Sequence, residues 1–369
     1  MGESANRPGG GDGVEMDQRK YRILMAIIDD YISTAMPVGS RTISKKPDIG
    51  GLSSATIRNE MSDLEELGFL EQPHTSAGRI PSDKAYRLYV DGLLRGVNRL
   101  PADEAKRLRT HFDRRARQVE DIIASAAQAI SDVTRYTAMV TLPQPETIRI
   151  RHVQLVPVSE NSVLLVVVTN LGLVRDTVIQ AGGALSAEQL HALSQMLTEH
   201  LAGLPPSEVR GKLAEISGAF GMHRDMVDSM LSAVEGNGAK DVMIGGRSNI
   251  LNYPEYSDTE KARAVLAVLE TRDKMLQLMR TMPGGPRMSF TIRIGGETGL
   301  PETSESSVVS MAYRIGDDTS GTIGVIGPTR MQYAKVLPVL DYMGKALGQL
   351  LSEIGTAPQG KKDENGNDR

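Results

Sequence analysis

The sequence predicts a multidomain α+β chain: a winged helix-turn-helix at the N-terminal end, followed by an antiparallel-sheet domain that an insertion interrupts. Three observations predict it. From Asp17 to about Gly96, three helical patterns are followed by a short hairpin. From Ile148 the apolar spacing changes from the helical 3.6 to a strand period of two or to short apolar runs. Strand patterns return at Ser289–Ile294, Ser307–Tyr313 and Gly321–Ile326, so strands stand on both sides of a helical middle.

Residues 1–16, with GGGDG inside them, are expected to be a disordered tail, as are residues 357–369. In Asp17–Thr34 the apolar residues Ile23, Leu24, Ile27, Ile28, Tyr31 and Ile32 line one helical face, and Pro37 with Gly39 stops the helix. A short second helix fits Ser40–Lys46, with Ser40 placed to cap it, and Pro47, Gly50 and Gly51 break the chain again. The third helix starts from Ser53 or Ser54. Its residues Ile57, Met61, Leu64 and Leu67 face the core, and Gly68 ends it. At about 100° per residue, Ala55, Arg58, Asn59 and Ser62 then face outward. Small residues allow close approach to a major groove, and Arg and Asn can make bidentate contacts to guanine and adenine edges.

Phe69–Glu71 and Arg79–Ile80 flank a polar loop of Gln72 to Gly78, which makes a wing. The pattern assigns Arg58 and Asn59 to base reading, with Ser62 on the same face. Ser53, Ser54, Thr56, Arg41 and Lys45 would hold phosphates, and His74, Thr75, Ser76 and Arg79 would brace the adjacent backbone. Such a module is also compatible with protein binding. The formal net charge of −4 gives no general attraction to DNA, so charge must be segregated. Between Val38 and Asn59 it is: Arg41, Lys45, Lys46 and Arg58 face one acid, Asp48.

Asp83–Val97 reads as a further helix whose tyrosines belong to the core, closing a DNA-binding domain over 17–100. A helical linker is expected over 101–147, first basic, with Lys106, Arg107, Arg109, Arg114, Arg115 and Arg117, and then apolar. The basic part is either phosphate-facing or a solvated face. The strands from Val153, from Val163 and from Leu173 to Ile179 form a meander, and Ser186 with Gln189 makes a capping box for the next helix. Lys261–Met282 reads as one long amphipathic helix whose stripe of Val265, Leu269, Leu276 and Met279 is either intrachain core or a partner face. A closing helix begins near Tyr333.

The segments PVGSRTISKK, LSSATIRNEMSDLEELGFLEQPHTSAGRIPSDKAYRLYVD, GGRSNILNYPEYSD and GTIGVIGPTRMQYAKV resemble the heat-inducible transcription repressor family, HrcA. The resemblance runs from Asp17 to about Gly355, and Ser53–Asp91 is its most specific part. It implies a homodimeric repressor of chaperonin and related chaperone operons. Such a repressor binds an inverted-repeat DNA operator called CIRCE and is kept active by the chaperonin GroEL. It also implies that the sheet domain is GAF-like, placed at 148–208 and 286–356, with an inserted dimerising domain at 209–285.

A GAF-like sheet raises one alternative, a transcription factor that senses a small molecule. The absence of cysteine excludes disulfides, thiol redox chemistry and cysteine-ligated zinc. The six histidines show no H-E-x-x-H spacing and no G-x-S-x-G elbow is present, so neither an enzyme nor a cofactor or metal site is expected. Gly321, Gly324 and Gly327 recur every third residue, which is no phosphate-loop spacing, and are read as ending a strand and opening a turn. The longest aliphatic run, Val163–Val168, falls far short of the ~20 residues of a membrane helix. No leader pattern opens the chain, so a cytoplasmic protein is expected.

Overall fold

A computed structural model describes residues 16–74, 77–96, 99–111, 119–143, 148–180, 183, 185–220, 227–228, 231, 242–280, 290–315 and 318–356. The two expected tails, the wing-tip residues Thr75 and Ser76, and Arg114, Arg115 and Arg117 lie outside them, apart from Met16. The chain is α+β with antiparallel sheets and divides into two compact units, one up to Gly96 with Thr329–Gln332 and one comprising the rest.

In the first unit α1 (Gln18–Thr34) buries Ile23, Leu24, Ile27, Ile28 and Ile32, the stripe its periodicity demands. It stops at Ala35, whose φ of 54° is left-handed, before Pro37 is reached. Helix α2 (Ser40–Ser44) buries Ile43. The residue at its N-cap is Gly39 and not Ser40 as expected, and no side chain caps it, because the Ser40 hydroxyl bonds that of Ser54 at 2.9 Å. Helix α3 (Ser54–Glu66) is capped by Ser53, whose Oγ accepts from the Thr56 N–H. Strands β1 (Leu70–Glu71) and β2 (Ile80–Pro81) pair antiparallel, and α4 (Asp83–Leu94) follows, capped by Ser82.

In the second unit the expected 101–147 helical linker contains α5 (Ala102–His111) and α6 (Val119–Thr134), and it ends in a strand, β3 (Thr137–Thr141). That strand was not foreseen. It is buried over four of its five residues, so its apolar run has no alternation and continues the α6 pattern. The meander is present as β4 (Ile150–Pro157), β5 (Ser162–Thr169) and β6 (Val174–Gln180), followed by α7 (Ala187–Leu201) and α8 (Pro206–Phe220). Then come β7 (Val242–Gly245), two 3-10 turns, α9 (Thr259–Glu270), α10 (Arg272–Met279), β8 (Phe290–Ile294), β9 (Ser306–Ile315), β10 (Asp318–Pro328) and α11 (Tyr333–Thr356).

The expected single sheet built from 148–208 and 286–356 is two sheets. One is the three-stranded meander β4-β5-β6; the other has five strands in the order β7-β3-β10-β9-β8. The meander has its own core with α7 and α8, formed by Val153, Leu155, Leu165, Leu190 and Leu197 among others. Residues 242–280, expected in a separate insert, instead belong to the five-stranded sheet, because β7 pairs with β3 and Val265, Leu269 and Met279 pack on Met139, Val308 and Ile326. The α9–α10 stripe is therefore intrachain core, and Thr271, with extended φ and ψ, breaks the expected long helix in two. The segment that interrupts the five-stranded sheet is the meander with its helices. A sequence shows which segments are strands, but hydrogen-bonding partners depend on three-dimensional closure.

Gly321, Gly324 and Gly327 lie inside β10 and not at a turn. A Cβ on each would meet Tyr313, the Val309 carbonyl or Tyr136 at 2.5–2.7 Å, so close packing explains them. Among the described residues no helix is long and apolar enough to cross a membrane.

Candidate nucleic-acid interface

Helix α3 separates its residues as its period requires. Ile57, Met61 and Leu64 are buried, whereas Ala55, Arg58, Asn59 and Ser62 are exposed. The exposed face is held in place from its own N-terminus: Ser53 Oγ caps Thr56 and lies 2.9 Å from its hydroxyl, and Ser54 is tied to Ser40. This last bond joins the starts of α2 and α3, so the three hydroxyl residues proposed for phosphate contact fall into two pairs, Ser53 with Thr56 and Ser54 with Ser40. Arg41 and Lys45 on and after α2 are exposed, and like Arg58 they enter no ion pair among the described residues. Lys46 is different. Its ammonium binds Asp30 at 3.0 Å and the Ala26 carbonyl at 3.0 Å, which removes it from the exposed charge.

Three of the four acids on the second half of α3, Glu60, Asp63 and Glu65, are neutralised within the unit, while Glu66 is exposed. Glu60 is only 8% exposed and is held by Arg19 at 3.1 Å and Lys20 at 3.0 Å, while Lys20 also reaches Asp63 at 3.0 Å. Hydrogen bonds to Asp63 and Glu60 raise the Lys20 pKa above its ordinary value. Glu65 receives both Nε of Arg79 at 2.8 Å and its terminal nitrogen at 2.7 Å. The consequence is electrostatic: three carboxylates that would repel a phosphate backbone already carry cations, and the exposed cations at the N-terminal half stand without acids of their own.

The same pair changes the reading of Arg79. Expected to brace DNA, it is committed to Glu65, and its backbone N–H and carbonyl each bond Val38 at 2.9 Å. Gly78 beside it must lack a side chain, since a Cβ there would lie 2.5 Å from the Val38 carbonyl oxygen. His74 is exposed near the hairpin tip. Between α4 and α1, Tyr89 donates to Asp29 at 3.2 Å, and burial followed by that carboxylate raises its pKa.

Glu60, Arg19 and Lys20 were missed by sequence reasoning although a signal existed. Glu60 falls at the i+3 place of the stripe Ile57, Met61, Leu64, and an acid on a core face requires cations. Among the described residues no group of three His, Asp or Glu is placed to hold a metal ion.

Residues 120–337 match the family described as "HrcA protein C terminal domain". The chain is 40% identical over 350 residues to the "Heat-inducible transcription repressor HrcA" of Pelotomaculum thermopropionicum, covering 92% of this chain and 98% of that protein. It is 40% identical over 333 residues to the protein of the same name in Acetivibrio thermocellus, covering 89% and 94%. A solved structure described as "Crystal structure of a hypothetical protein at 2.2 A resolution" matches with a TM-score of 0.66 at 25% identity, covering 92% of this chain and 100% of that one.

Proposed function

Because the chain belongs to the HrcA family, we propose that it is a heat-inducible transcription repressor that binds an inverted-repeat operator of the CIRCE type as a homodimer. The observation that carries this reading is the outward face of α3, where Arg58 and Asn59 stand exposed between the small residues Ala55 and Ser62. On this reading the first unit is a winged helix-turn-helix. Helix α3 enters the major groove, Arg58 and Asn59 read base edges, and Arg41, Lys45 and the hydroxyls of Ser53, Ser54 and Thr56 meet phosphates. The hairpin with His74, Thr75 and Ser76 lies along the duplex as the wing. Bound near a promoter in the cytoplasm, the dimer excludes polymerase.

An inverted repeat demands a two-fold protein. The outer face of the three-stranded sheet supports a place for that contact: Val156, Val174 and Val178 are 40–56% exposed, and the register sets Val156, Leu164 and Val178 in one cross-strand row. On this reading the meander contributes to the two-fold contact beside the 209–285 segment that the sequence suggested. The five-stranded sheet, with helices on both faces, is taken as the GAF-like domain. Chaperonin GroEL is proposed to support activity, so that heat-damaged proteins draw it away and release the operons.

The test is binding of the purified protein to a CIRCE-type inverted repeat and to a scrambled duplex at matched salt, with and without GroEL. Clear preference for the inverted repeat is expected, strengthened by GroEL. Equal weak binding to both duplexes under either condition would reject the repressor reading.

A further inference from the structure

The contact that commits Arg79 to Glu65 joins two parts of the proposed reading head. Glu65 lies in the last turn of α3, one helix with Arg58 and Asn59, and Arg79 opens the return strand of the hairpin. Two charge-assisted bonds at 2.8 and 2.7 Å form a fork onto a single carboxylate oxygen, and the two side chains are only 33% and 20% exposed. The Arg79 backbone is bonded in both directions to Val38, in the connection between α1 and α2. Gly78 allows that approach, because any Cβ would strike the Val38 carbonyl. One residue therefore ties three segments: its side chain to the reading helix, its main chain to the α1–α2 connection and to the hairpin.

From this geometry we infer that Arg79 is a positioning residue, which through Glu65 sets the angle of the wing to α3 and so the operator preference, and that it does not grip DNA phosphate. The inference rests on the DNA-binding reading above. A phosphate-gripping arginine and a positioning arginine behave oppositely when Glu65 is neutralised. If Arg79 grips phosphate, Glu65 competes for it and repels DNA, so Glu65→Gln tightens binding. If Arg79 positions the wing, Glu65→Gln loosens it and lowers preference.

The experiment measures operator and scrambled-duplex affinity across a salt series for wild type, Glu65→Gln, Arg79→Gln, the double variant and the charge exchange Glu65→Arg with Arg79→Glu. Each single variant is expected to lose roughly 3- to 10-fold of operator preference, the double variant no more than either single one, and the exchange to recover part of it. The salt slope of Arg79→Gln is expected to stay as in wild type, whereas loss of a phosphate contact would flatten it by about 0.9. A flattened slope, or tighter binding by Glu65→Gln, overturns the inference.

Hydrogen exchange at the Val38 and Arg79 amides reads the same coupling without DNA. Faster exchange there in Glu65→Gln, with the amides of α1 unchanged, supports the positioning role; unchanged exchange overturns it. A wild-type protein with no operator preference would sink the DNA-binding reading by itself, and the exchange measurement would still decide the pair.

Discussion

Two stretches of this chain are built from similar residues and do different things. Ser53–Ser62 and Gly245–Asp258 both carry arginine, serine and asparagine between apolar residues. In the first, Arg58, Asn59 and Ser62 are exposed. In the second, Arg247 and Ser248 are also exposed, but Asn249 and Tyr253 are used by the fold. Asn249 donates to the Ser131 hydroxyl at 2.8 Å and the Tyr136 carbonyl at 3.3 Å, Tyr253 donates to the Arg135 carbonyl at 3.1 Å and stacks on Tyr136, and Thr137 donates to the Gly246 carbonyl at 2.9 Å. Gly245 presses so closely on α6 that a Cβ would lie 2.3 Å from the Ala127 carbonyl oxygen. Residue type alone does not separate a recognition surface from an internal fastening. What separates Asn59 from Asn249 is whether the side chain has found a partner inside its own unit.

This contrast can be broken most severely at Gly245. Gly245→Ala is expected to destabilise the sheet unit by about 3 kcal/mol, since backbone and not a flexible side chain stands in the way. At this size that is a fall of roughly 10 °C in Tm, read by thermal denaturation. Operator preference of the remaining folded protein is expected not to change.

Arg58→Ala is the complementary case. It is expected to cost ~1 to 3 kcal/mol of operator binding and to relax preference at one base pair, while folding stability changes by no more than the ~0.5 kcal/mol usual for exposed sites. Equal losses on operator and random DNA would reject its base-reading role.

A third case sharpens the comparison on an exposed apolar face. Val178→Asp, at a position 56% exposed, is expected to raise the dimer dissociation constant about tenfold by sedimentation, corresponding to ~1.4 kcal/mol. The meander itself should stay folded, and a dimer unaffected by the charge would place the two-fold contact elsewhere. The smallest effect is expected at Lys45. Lys45→Ala should weaken all duplexes alike and flatten the salt slope by about 0.9, with no change in base preference.

The helical first unit was largely legible because its determinants are local. The stripes of α1 and α3, the Ser53 cap and the outward face of α3 follow from a 3.6-residue period and from capping chemistry over a few residues. The same locality explains why the meander and the capping box at Ser186 were read correctly. It also explains the misplacement of Ser40 as a cap: its hydroxyl had a competing partner fourteen residues away.

By itself, then, the sequence determined most of the helices, the strands of the meander and β8, β9 and β10, the exposed Arg58 and Asn59, and the family to which the chain belongs. Tertiary structure alone decided three things. It placed β3 and β7 in one sheet with β8, β9 and β10, it used the α9–α10 stripe to cover that sheet, and it committed Arg79 to Glu65 and Glu60 to Arg19 and Lys20. The physical reason is common to all three. Period and capping act between residues a few places apart, whereas strand pairing, face-to-face packing and ion pairing depend on which distant segments close upon one another, and a linear pattern carries no distance between them.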